Sequence, residues 1–446
     1  MSDTIFALAT APGRAAVAVI RLSGPGTRAA LAALGGRAAR PRRASLRTLR
    51  DAGGAPLDRA LTLFFPSPRS YTGEDCAELH LHGGAGVVDA VTRALLALGL
   101  RLAEPGEFTR RAFENGKLDL DQAEAVADLV EAESAAQARQ ALGQLAGALG
   151  ARYETWRERL IDALAQLEAA VDFPDEEIPA DVTAKAREGL RSLAAELDRA
   201  VADEARGRRV REGYRVAVVG APNAGKSSLI NALLGRDAAI VAAEPGTTRD
   251  IIEAPLIIDG FKVLLADTAG LRAPAGAVEA EGVRRARAWA AGADLRLWVA
   301  DRSGRTAAWK QAVGAVVAGD ICVLNKTDLE EGPDGPDIRG AAADLGLAVL
   351  SVSLRNEGAR GVWEGLSLRV RTDLAGSDFP AATAGRHAAL LHEARDHLRR
   401  AVDALDEPEL AAEDARLAAR ALARISGRID ADDILGRVFA TFCIGK

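Results

Sequence analysis

The chain of 446 residues has little cysteine, few aromatic residues and no long apolar run. Its three cysteines, Cys76, Cys322 and Cys443, are too few for a disulfide framework and have no zinc-site spacing. Aromatic residues make up 4%, so aliphatic side chains and alanine must fill the cores. No uncharged apolar stretch reaches the roughly 18 residues that span a bilayer, and the first residues carry no secretory signal. We therefore expect a cytoplasmic protein without a membrane partner.

A large excess of one charge is also missing. The net charge of −6 argues against electrostatic binding of nucleic acid along the whole chain, so any RNA contact must be local or shared with a partner. Only seven of the 57 basic residues are lysine, and the other 50 are arginine. Because arginine serves almost everywhere, the few lysines are candidates for positions that need a compact ammonium group.

The length exceeds what one core of about 250–300 residues supports, and three types of sequence pattern follow one another along the chain. Residues 1–118 mix strand and helix patterns. Residues 119–210 have high helix propensity, which predicts two or three long helices, and residues 380–446 are helical again. Between them, strands alternate with helices over 211–379, which predicts a parallel sheet with helices on both faces. We predict a multidomain α/β and α+β protein in which this α/β domain is inserted into the helical domain.

Two groups of basic residues are assigned to solvent. The stretch from Arg28 to Arg50 holds seven arginines and no acid. We interpret it as a surface loop, with a phosphate-contacting patch as the alternative. The evenly spaced His387, His392 and His397 are expected on a helix surface.

A phosphate-binding loop is the clearest motif. Gly220-Ala-Pro-Asn-Ala-Gly-Lys-Ser227 matches G-x-x-x-x-G-K-[ST], after a predicted strand and before a predicted helix. The glycines allow backbone N–H groups to curl round phosphates. Lys226 places a point charge near the β- and γ-phosphate oxygens, and the Ser227 hydroxyl is expected to ligate Mg²⁺.

Two switch-like motifs follow it. Asp267-Thr-Ala-Gly270 comes after a predicted strand, so Asp267 can support the magnesium shell and the Gly270 N–H can meet a γ-phosphate. Gly246-Thr-Thr-Arg-Asp250 lies earlier, and Thr248 is expected to close on Mg²⁺.

Base selection is predicted from Asn325-Lys-Thr-Asp328, again after a predicted strand. Asp328 can accept two hydrogen bonds from guanine that adenine cannot donate, so the motif selects GTP. Ser353-Leu-Arg355 is a weaker base-backing loop. Together with the phosphate loop, these motifs predict a GTPase.

The catalytic residue is not the usual one. Ras-like enzymes place a glutamine after the Asp-x-x-Gly motif, but Leu271 stands here and cannot orient water. Glu279 and Glu281 lie downstream as candidates, with an ordinary acidic helix start as the alternative.

Beyond these motifs, the sequence resembles the MnmE (TrmE) family of bacterial tRNA modification GTPases from near its first residue to its last. The matching segments outside the G motifs are Pro12-Gly-Arg, Ile20-Arg-Leu-Ser-Gly24, Tyr71-Thr-Gly-Glu-Asp75, His82-Gly-Gly84, Pro105-Gly-Glu-Phe-Thr109, Gly116-Lys-Leu-Asp-Leu120 and the tail Cys443-Ile-Gly-Lys446. One departure is Leu354, which stands where the family has alanine.

The resemblance implies an N-terminal α+β folate-binding domain (1–118), a central helical domain (119–210 plus 380–446) and an inserted P-loop GTPase domain of Ras-like α/β fold (211–379). It implies a homodimer through the N-terminal domains and a heterotetramer with the FAD protein MnmG (GidA). Such a complex installs an aminomethyl or carboxymethylaminomethyl group at C5 of the tRNA wobble uridine, U34. The one-carbon donor would be 5-formyl- or 5,10-methylene-tetrahydrofolate.

The resemblance also implies residue roles. Glu279 would position the hydrolytic water, and Cys443 would take part in modification, with a small residue near a buried terminus as the alternative. Folate would bind Arg21, Glu78, Lys117 and Lys446. Mg²⁺ would bind Ser227 and Thr248, and K⁺ would bind Asn223, Ala242, Glu244 and Thr247. The full GTP-binding set is Asn223, Ala224, Gly225, Lys226, Ser227, Ser228, Ala242, Ala243, Glu244, Pro245, Gly246, Thr247, Thr248, Asp267, Thr268, Ala269, Gly270, Asn325, Lys326, Asp328, Ser353, Leu354 and Arg355.

Two other functions are possible for a GTPase of this kind. An Era- or Der-like GTPase switch in ribosome assembly would need a C-terminal KH module or a second phosphate loop. Residues 380–446 are predicted helical, and no second loop is present. A GTP-dependent scaffold without chemistry is disfavoured by the folate-type residues.

Overall fold

The computed structural model describes residues 3–36, 40–172, 180–237, 253–267, 288–376 and 379–427, together with Phe442 and Gly445. Contacts divide the chain into two compact units. The first unit combines Met1–Val130, Leu142–Leu197 and Ala389–Lys446, and the second combines Glu131–Ala141 and Asp198–Ala388. The finer division into three domains stays a prediction. Among the described helices, none is long and apolar enough to cross a membrane.

The first unit begins with a six-stranded sheet and three helices. They are β1 (Ile5–Leu8), β2 (Val17–Ser23), α1 (Thr27–Gly35), β3 (Ser45–Arg50), β4 (Pro56–Phe65), β5 (Cys76–His82), α2 (Ala85–Ala97), β6 (Arg101–Leu102) and α3 (Glu107–Glu114). The strand order is β3-β4-β5-β2-β1-β6, antiparallel except between β1 and β6. This confirms the expected α+β character.

Alternation along β5 gives the sheet one apolar and one polar face. Ala77, Leu79 and Leu81 are buried in a core shared with residues of α1 and α2. Glu78 and His80, which alternate with them, lie on the opposite face because successive strand residues point to opposite sides. Helices α1 and α2 thus cover one face, while α3 packs on the other through Phe108.

The Arg28–Arg50 stretch is not the predicted loop, because it contains α1 and β3. Leu31 and Leu34 on α1, and Leu49 on β3, are buried in the sheet–helix core. Apolar residues between the arginines drive these elements to fold, while Arg28, Arg40 and Arg50 are exposed.

The described residues between α3 and the second sheet form helices. The helices in the 119–210 region are α4 (Leu120–Glu131), α5 (Ala135–Leu145), α6 (Ala148–Asp172), α7 (Ala180–Ala202) and α8 (Glu204–Glu212). Two of them, α6 and α7, are long, as predicted, and the other three are shorter. A capping box explains one break, because the Gln137 N–H donates to Ser134 Oγ at 3.2 Å and Gln137 Oε1 accepts from the Glu133 N–H at 3.0 Å.

The second unit holds a six-stranded sheet. Its strands are β7 (Tyr214–Val219), β8 (Glu253–Ile258), β9 (Phe261–Asp267), β10 (Leu295–Asp301), β11 (Ile321–Asn325) and β12 (Ala348–Val352). Its further helices are α9 (Lys226–Asp237), α10 (Lys310–Val313), α11 (Asp334–Asp344) and α12 (Arg360–Leu374). The order is β12-β11-β10-β7-β9-β8. Val216 and Val218 of β7 enter one core cluster, and Ala217 and Val219 enter another, so both faces are covered as predicted.

One edge of this sheet differs from the all-parallel prediction. Strand β8 pairs antiparallel with β9 through the turn at Asp259-Gly260. Both turn residues have positive φ, 50° and 82°, which suits the Asp-Gly turns of tight hairpins.

The segment 131–141 packs within the second unit, although it lies far from the sheet in sequence. Ala136 belongs to the same core cluster as Tyr214 and Val263. Four polar contacts join the segment to the rest of the unit: Ala136 N–H to Gly260 O at 3.0 Å, Gln137 Nε2 to Arg211 O at 2.8 Å, Gln140 Nε2 to Gly207 O at 3.0 Å, and Lys262 Nζ to Glu133 Oε2 at 2.6 Å. Lys262 therefore has a structural partner.

Two further helices follow α12 among the described residues, α13 (Gly385–Asp403) and α14 (Pro408–Ile425). Helix α14 packs on α6, and a stripe of alanines on α14 that includes Ala411, Ala415 and Ala418 is buried. His387 on α13 is fully buried, with its Nδ1 3.2 Å from Thr383 Oγ1. The expectation of a surface histidine there was wrong, because polar spacing alone does not reveal a local hydroxyl partner.

A buried carboxylate ties α3 to the first sheet. The Glu107 side chain is 1% exposed and accepts hydrogen bonds from Arg101 at 2.6 and 2.9 Å, from Arg111 at 2.9 Å and from the Glu104 N–H at 2.8 Å. Burial alone would raise the pKa of Glu107, but Arg101, the Glu104 N–H and Arg111 outweigh it and lower the pKa to about 2.

This gives a prediction on acid stability. The folded pKa lies below the ordinary value of 4.5, so the stabilisation is complete above about pH 4.5 and is lost as the pH falls towards 2. We expect Glu107→Gln to lower the free energy of unfolding by on the order of 3 kcal/mol at pH 7, with the difference vanishing towards pH 2. Urea denaturation at several pH values measures this. Glu114→Gln, an exposed carboxylate on the same helix, is the control, and an equal pH-dependent loss in that variant would contradict the prediction.

Candidate functional site

The phosphate loop joins the C-terminal end of β7 to the start of α9. Asn223 in the loop has φ of 61°, a conformation that asparagine tolerates better than most residues. Lys226 is buried, and its Nζ donates to the carbonyls of Gly220 and Ala221, both at 2.9 Å. The loop thus curls around the ammonium group, as the motif predicts.

Two predicted magnesium-site residues meet beside this loop. Ser227 Oγ donates to Asp267 Oδ2 at 3.1 Å, although the two are 40 residues apart. Ser227 lies in the first turn of α9, and Asp267 is the last residue of β9. The sheet topology therefore brings the two residues together. Hydroxyl and carboxylate oxygens are ligands that Mg²⁺ prefers, and the pair fits that ion.

Asn325 connects the base motif to the phosphate loop. It is 3% exposed, its Nδ2 donates to Ala224 O at 2.9 Å, and its Oδ1 accepts from the Leu354 N–H at 3.3 Å. Gly225, with φ of 108°, passes so close that a Cβ there would lie 2.2 Å from Asn325 Nδ2. The loop and the base motif are therefore one interlocked structure.

Asp328 and Lys326 are each held by a different neighbour. Ser353 Oγ donates to Asp328 Oδ1 at 2.7 Å, while the exposed Asp328 carboxylate keeps oxygen lone pairs for a ligand. Lys326 Nζ lies 2.6 Å from Asp301 Oδ2. Arg355 is exposed beside Ser353.

A second site lies on the polar face of the first sheet. Arg21 and Glu78 form an ion pair at 3.2 Å across paired strands β2 and β5, and His80 Nε2 lies 3.2 Å from the other Glu78 oxygen. Arg21 and Glu78 border a cavity of about 270 Å³ whose lining is Arg21, Phe65, Tyr71, Cys76, Ala77, Glu78 and Val126.

Aromatic rings fix the arginine of this cavity. The Arg21 guanidinium lies 5.5 Å from the Tyr71 ring centroid and 5.9 Å from that of Phe108. Tyr71 Oη is 2.8 Å from Thr109 Oγ1, and burial raises the pKa of the Tyr71 hydroxyl, so it stays protonated. Such walls suit a flat ring that carries hydrogen-bonding groups on its edge.

Lys117 and the tail residue Gly445 lie in the same unit. A Cβ on Gly73 would lie 3.5 Å from Lys117 Cε, which places Lys117 beside the loop that follows Tyr71. Gly445 has φ of 99°, and a Cβ there would lie 2.4 Å from Leu8 O. Leu8 follows Ala7, the register partner of Arg21, so the tail glycine lies against the strand next to the cavity arginine.

Comparisons with known proteins cover the whole chain. The "GTP-binding protein TrmE N-terminus" family matches residues 4–117, and the "MnmE helical domain" family matches residues 120–443. The chain is 60% identical to the tRNA modification GTPase MnmE of Phenylobacterium zucineum over 448 aligned residues, with 100% of each chain covered. The chain belongs to the MnmE family. The MnmE of Caulobacter vibrioides is 59% identical, and that of Parvibaculum lavamentivorans 51%, again with 100% of each chain covered.

One solved structure is also similar to part of this MnmE-family chain. The G domain of the T. maritima FeoB iron transporter is 25% identical over 36% of this chain and 99% of its own, with a TM-score of 0.27. That score is too low to carry an argument about the fold.

Several predicted site residues of this MnmE-family chain lie outside the described residues. They are Ala242, Ala243, Glu244, Pro245, Gly246, Thr247, Thr248, Thr268, Ala269, Gly270, Glu279, Cys443 and Lys446. Their roles stay predictions. The described members of the GTP set gather at the carboxyl edge of the second sheet, and Arg21 and Glu78 meet in the first unit.

Sequence reasoning on this MnmE-family chain missed Asp301 and Tyr71. Asp301 is the last residue of β10 and the register partner of Asn325. An acid at the carboxyl end of a strand beside the base motif was a usable signal, because ligands of parallel sheets bind at that edge. Tyr71 belonged to a quoted segment, but its ring contact with Arg21 depends on tertiary packing.

Proposed function

We propose that this chain hydrolyses GTP as a component of tRNA wobble-uridine modification at U34. The observation that carries the proposal is the interlocked phosphate loop and guanine motif, which Asn325 joins through Ala224 and Leu354. Its setting is a chain 60% identical over its full length to a protein named tRNA modification GTPase MnmE.

In the proposed site, Lys226 neutralises phosphate charge while Ser227 and Thr248 hold Mg²⁺ with support from Asp267. Asp328 selects guanine. Bound K⁺ would supply positive charge at the phosphates, where other GTPases use an arginine finger, and Asn223, Ala242, Glu244 and Thr247 would hold it. Glu279 would orient the attacking water in place of the glutamine that Leu271 replaces.

The second site is proposed to hold the one-carbon donor, 5-formyl- or 5,10-methylene-tetrahydrofolate. Glu78 suits the N–H edge of a pterin, and Arg21, Lys117 and Lys446 suit the carboxylates of the glutamate tail. We propose that the chain acts as a homodimer, in a heterotetramer with the FAD protein MnmG, and that Cys443 takes part in the modification. The net charge of −6 supports sharing the tRNA with such a partner.

The direct test is analysis of tRNA nucleosides from cells that lack this protein. The proposal requires loss of the C5-aminomethyl-type groups at U34 and their return when the gene is restored. If the amounts of these modified nucleosides are the same in the deletion strain as in the wild type, the proposal is refuted.

The ribosome-assembly alternative is less well supported. A KH module is built partly from strands, whereas the described residues after β12 form helices α12, α13 and α14 and no strand.

Potassium provides a first prediction for the GTP site. We expect GTP hydrolysis at least about tenfold faster in KCl than in NaCl at equal ionic strength, because only the ion that fits the Asn223 site would add charge there. Steady-state phosphate release measures this. Asn223→Ala should remove the preference, and equal wild-type rates in both salts would exclude the role.

The tail provides a prediction for the folate site. Gly445 lies against Leu8 beside the strand of Arg21, so removing residues 443–446 should weaken binding of 5-formyl-tetrahydrofolate by at least about tenfold. Isothermal titration measures this, with GTP binding as the control for folding. Equal folate affinity in the shortened protein would remove the tail from the site.

A further inference from the structure

We propose that Asp301 is a positioning residue for guanine recognition, which acts by holding the Lys326 ammonium group away from the base-binding surface. This inference rests on the proposed function of the second unit as a GTP-binding unit. Asp301 is not part of the base motif Asn325–Asp328, because it lies 25 residues from Lys326 in the chain.

The strand register creates the pair. Asp301 and Asn325 are direct partners at the carboxyl ends of the parallel strands β10 and β11. Lys326, the next residue, has φ of 65°, a left-handed conformation that costs free energy for a residue with a side chain. This turn brings its Nζ to 2.6 Å from Asp301 Oδ2.

The two oxygens of Asp301 have separate partners. Oδ2 accepts from Lys326, while Oδ1 accepts from the Ser303 N–H at 2.9 Å and from Ser303 Oγ at 2.7 Å. Burial acts to raise the pKa of Asp301, but Lys326 and Ser303 outweigh it and lower the pKa, so the carboxylate is charged at neutral pH. One oxygen therefore holds the loop, and the other holds the lysine.

Three side chains of the motif are thus held by different neighbours. Asn325 is tied to the phosphate loop, Lys326 to Asp301 and Asp328 to Ser353. With its ammonium held at β10, Lys326 offers its methylene stem as an apolar surface for one face of the purine. Asp328 instead reads the hydrogen-bonding edge of the base. Asp301 should then govern the strength of base binding, and Ser353 should govern which base is chosen.

The ion pair is partly exposed, with 31% of the lysine and 27% of the aspartate side chain accessible. Exposed pairs of this kind add little to folding stability. Loss of the ion pair should therefore be measured in nucleotide binding, and not in the stability of the fold.

The experiment compares the binding of GDP and IDP to the full chain by isothermal titration. IDP lacks the 2-amino group of guanine, so the ratio of the two affinities reports the contact with Asp328. Asp301→Asn keeps an oxygen for Ser303 and removes the charge that holds Lys326. We expect it to weaken both nucleotides about tenfold and to leave their ratio unchanged. Ser353→Ala is the matched variant, and it should reduce the ratio.

A double-mutant cycle separates positioning from a structural effect. Lys326→Met keeps the apolar stem without the ammonium, so Asp301→Asn should cause no further loss in that background. Unchanged affinities in Asp301→Asn, an altered GDP to IDP ratio, or additive losses in the double variant would each overturn the inference. Wild-type protein that binds neither nucleotide would overturn the proposed function itself, which is a distinct result.

Discussion

Asp328→Asn is expected to change the nucleotide preference from GTP to XTP. A carboxylate accepts from the N1–H and 2-amino groups of guanine, whereas an asparagine offers an N–H that suits the 2-oxo group of xanthine. Ser353 remains in place to hold the new side chain, because it can bond either an oxygen or an amide. We expect the ratio of GTP to XTP affinity to fall by at least about a hundredfold, measured by competition binding.

A matched control tests whether the effect belongs to the site. Asp337 is an exposed aspartate on α11 in the same unit, and Asp337→Asn should leave the ratio unchanged. An Asp328→Asn protein that remains folded and still prefers GTP as strongly as the wild type would remove Asp328 from base recognition.

Gly225→Ala is expected to abolish nucleotide binding. The new Cβ would lie 2.2 Å from Asn325 Nδ2 at a φ of 108° that side chains rarely adopt. Asn325 cannot move aside cheaply, since it is buried and bonded to both Ala224 and Leu354. The clash would therefore displace both the phosphate loop and the base motif. We expect the affinity for GTP and GDP to fall by at least about a hundredfold.

Gly235→Ala is the matched glycine control. Gly235 lies on α9, which starts at the phosphate loop, and a Cβ there meets nothing within 4 Å. Alanine should leave binding unchanged and stabilise the helix by up to about 1 kcal/mol. Equal loss of binding in both variants, or retained binding in Gly225→Ala, would contradict the proposed interlock.

Much of the second unit could be predicted from its sequence, because its signals are local. Strands such as β7 and β12 are short apolar runs, and the phosphate loop, Asp267 and Asn325 each lie at the carboxyl end of such a strand. Strand β8 escaped prediction, although Asp259-Gly260 marks a hairpin turn, because the alternation pattern favours parallel strands. The capping box at Ser134 was also a readable signal for an extra helix.

Site contacts were predicted less completely, for a physical reason. Motifs indicate which residues bind a ligand, but the residues that orient them come from elsewhere in the chain. Asp301 meets Lys326 through strand register, and Tyr71 meets Arg21 through packing between a loop and β2. Such contacts have no fixed sequence spacing, so they required the structure.

The segment 131–141 has a practical consequence for dissecting the molecule. A fragment that spans only residues 198–388 would lack this segment and leave an apolar patch where Ala136 joins the core. It would also uncover the Gly260, Arg211 and Gly207 carbonyls and strip Lys262 of its carboxylate. A fragment for enzymology should therefore carry residues 131–141 joined to residues 198–388 through a linker. Poor solubility of the fragment 198–388 alone would result from the missing segment and not from the enzyme itself.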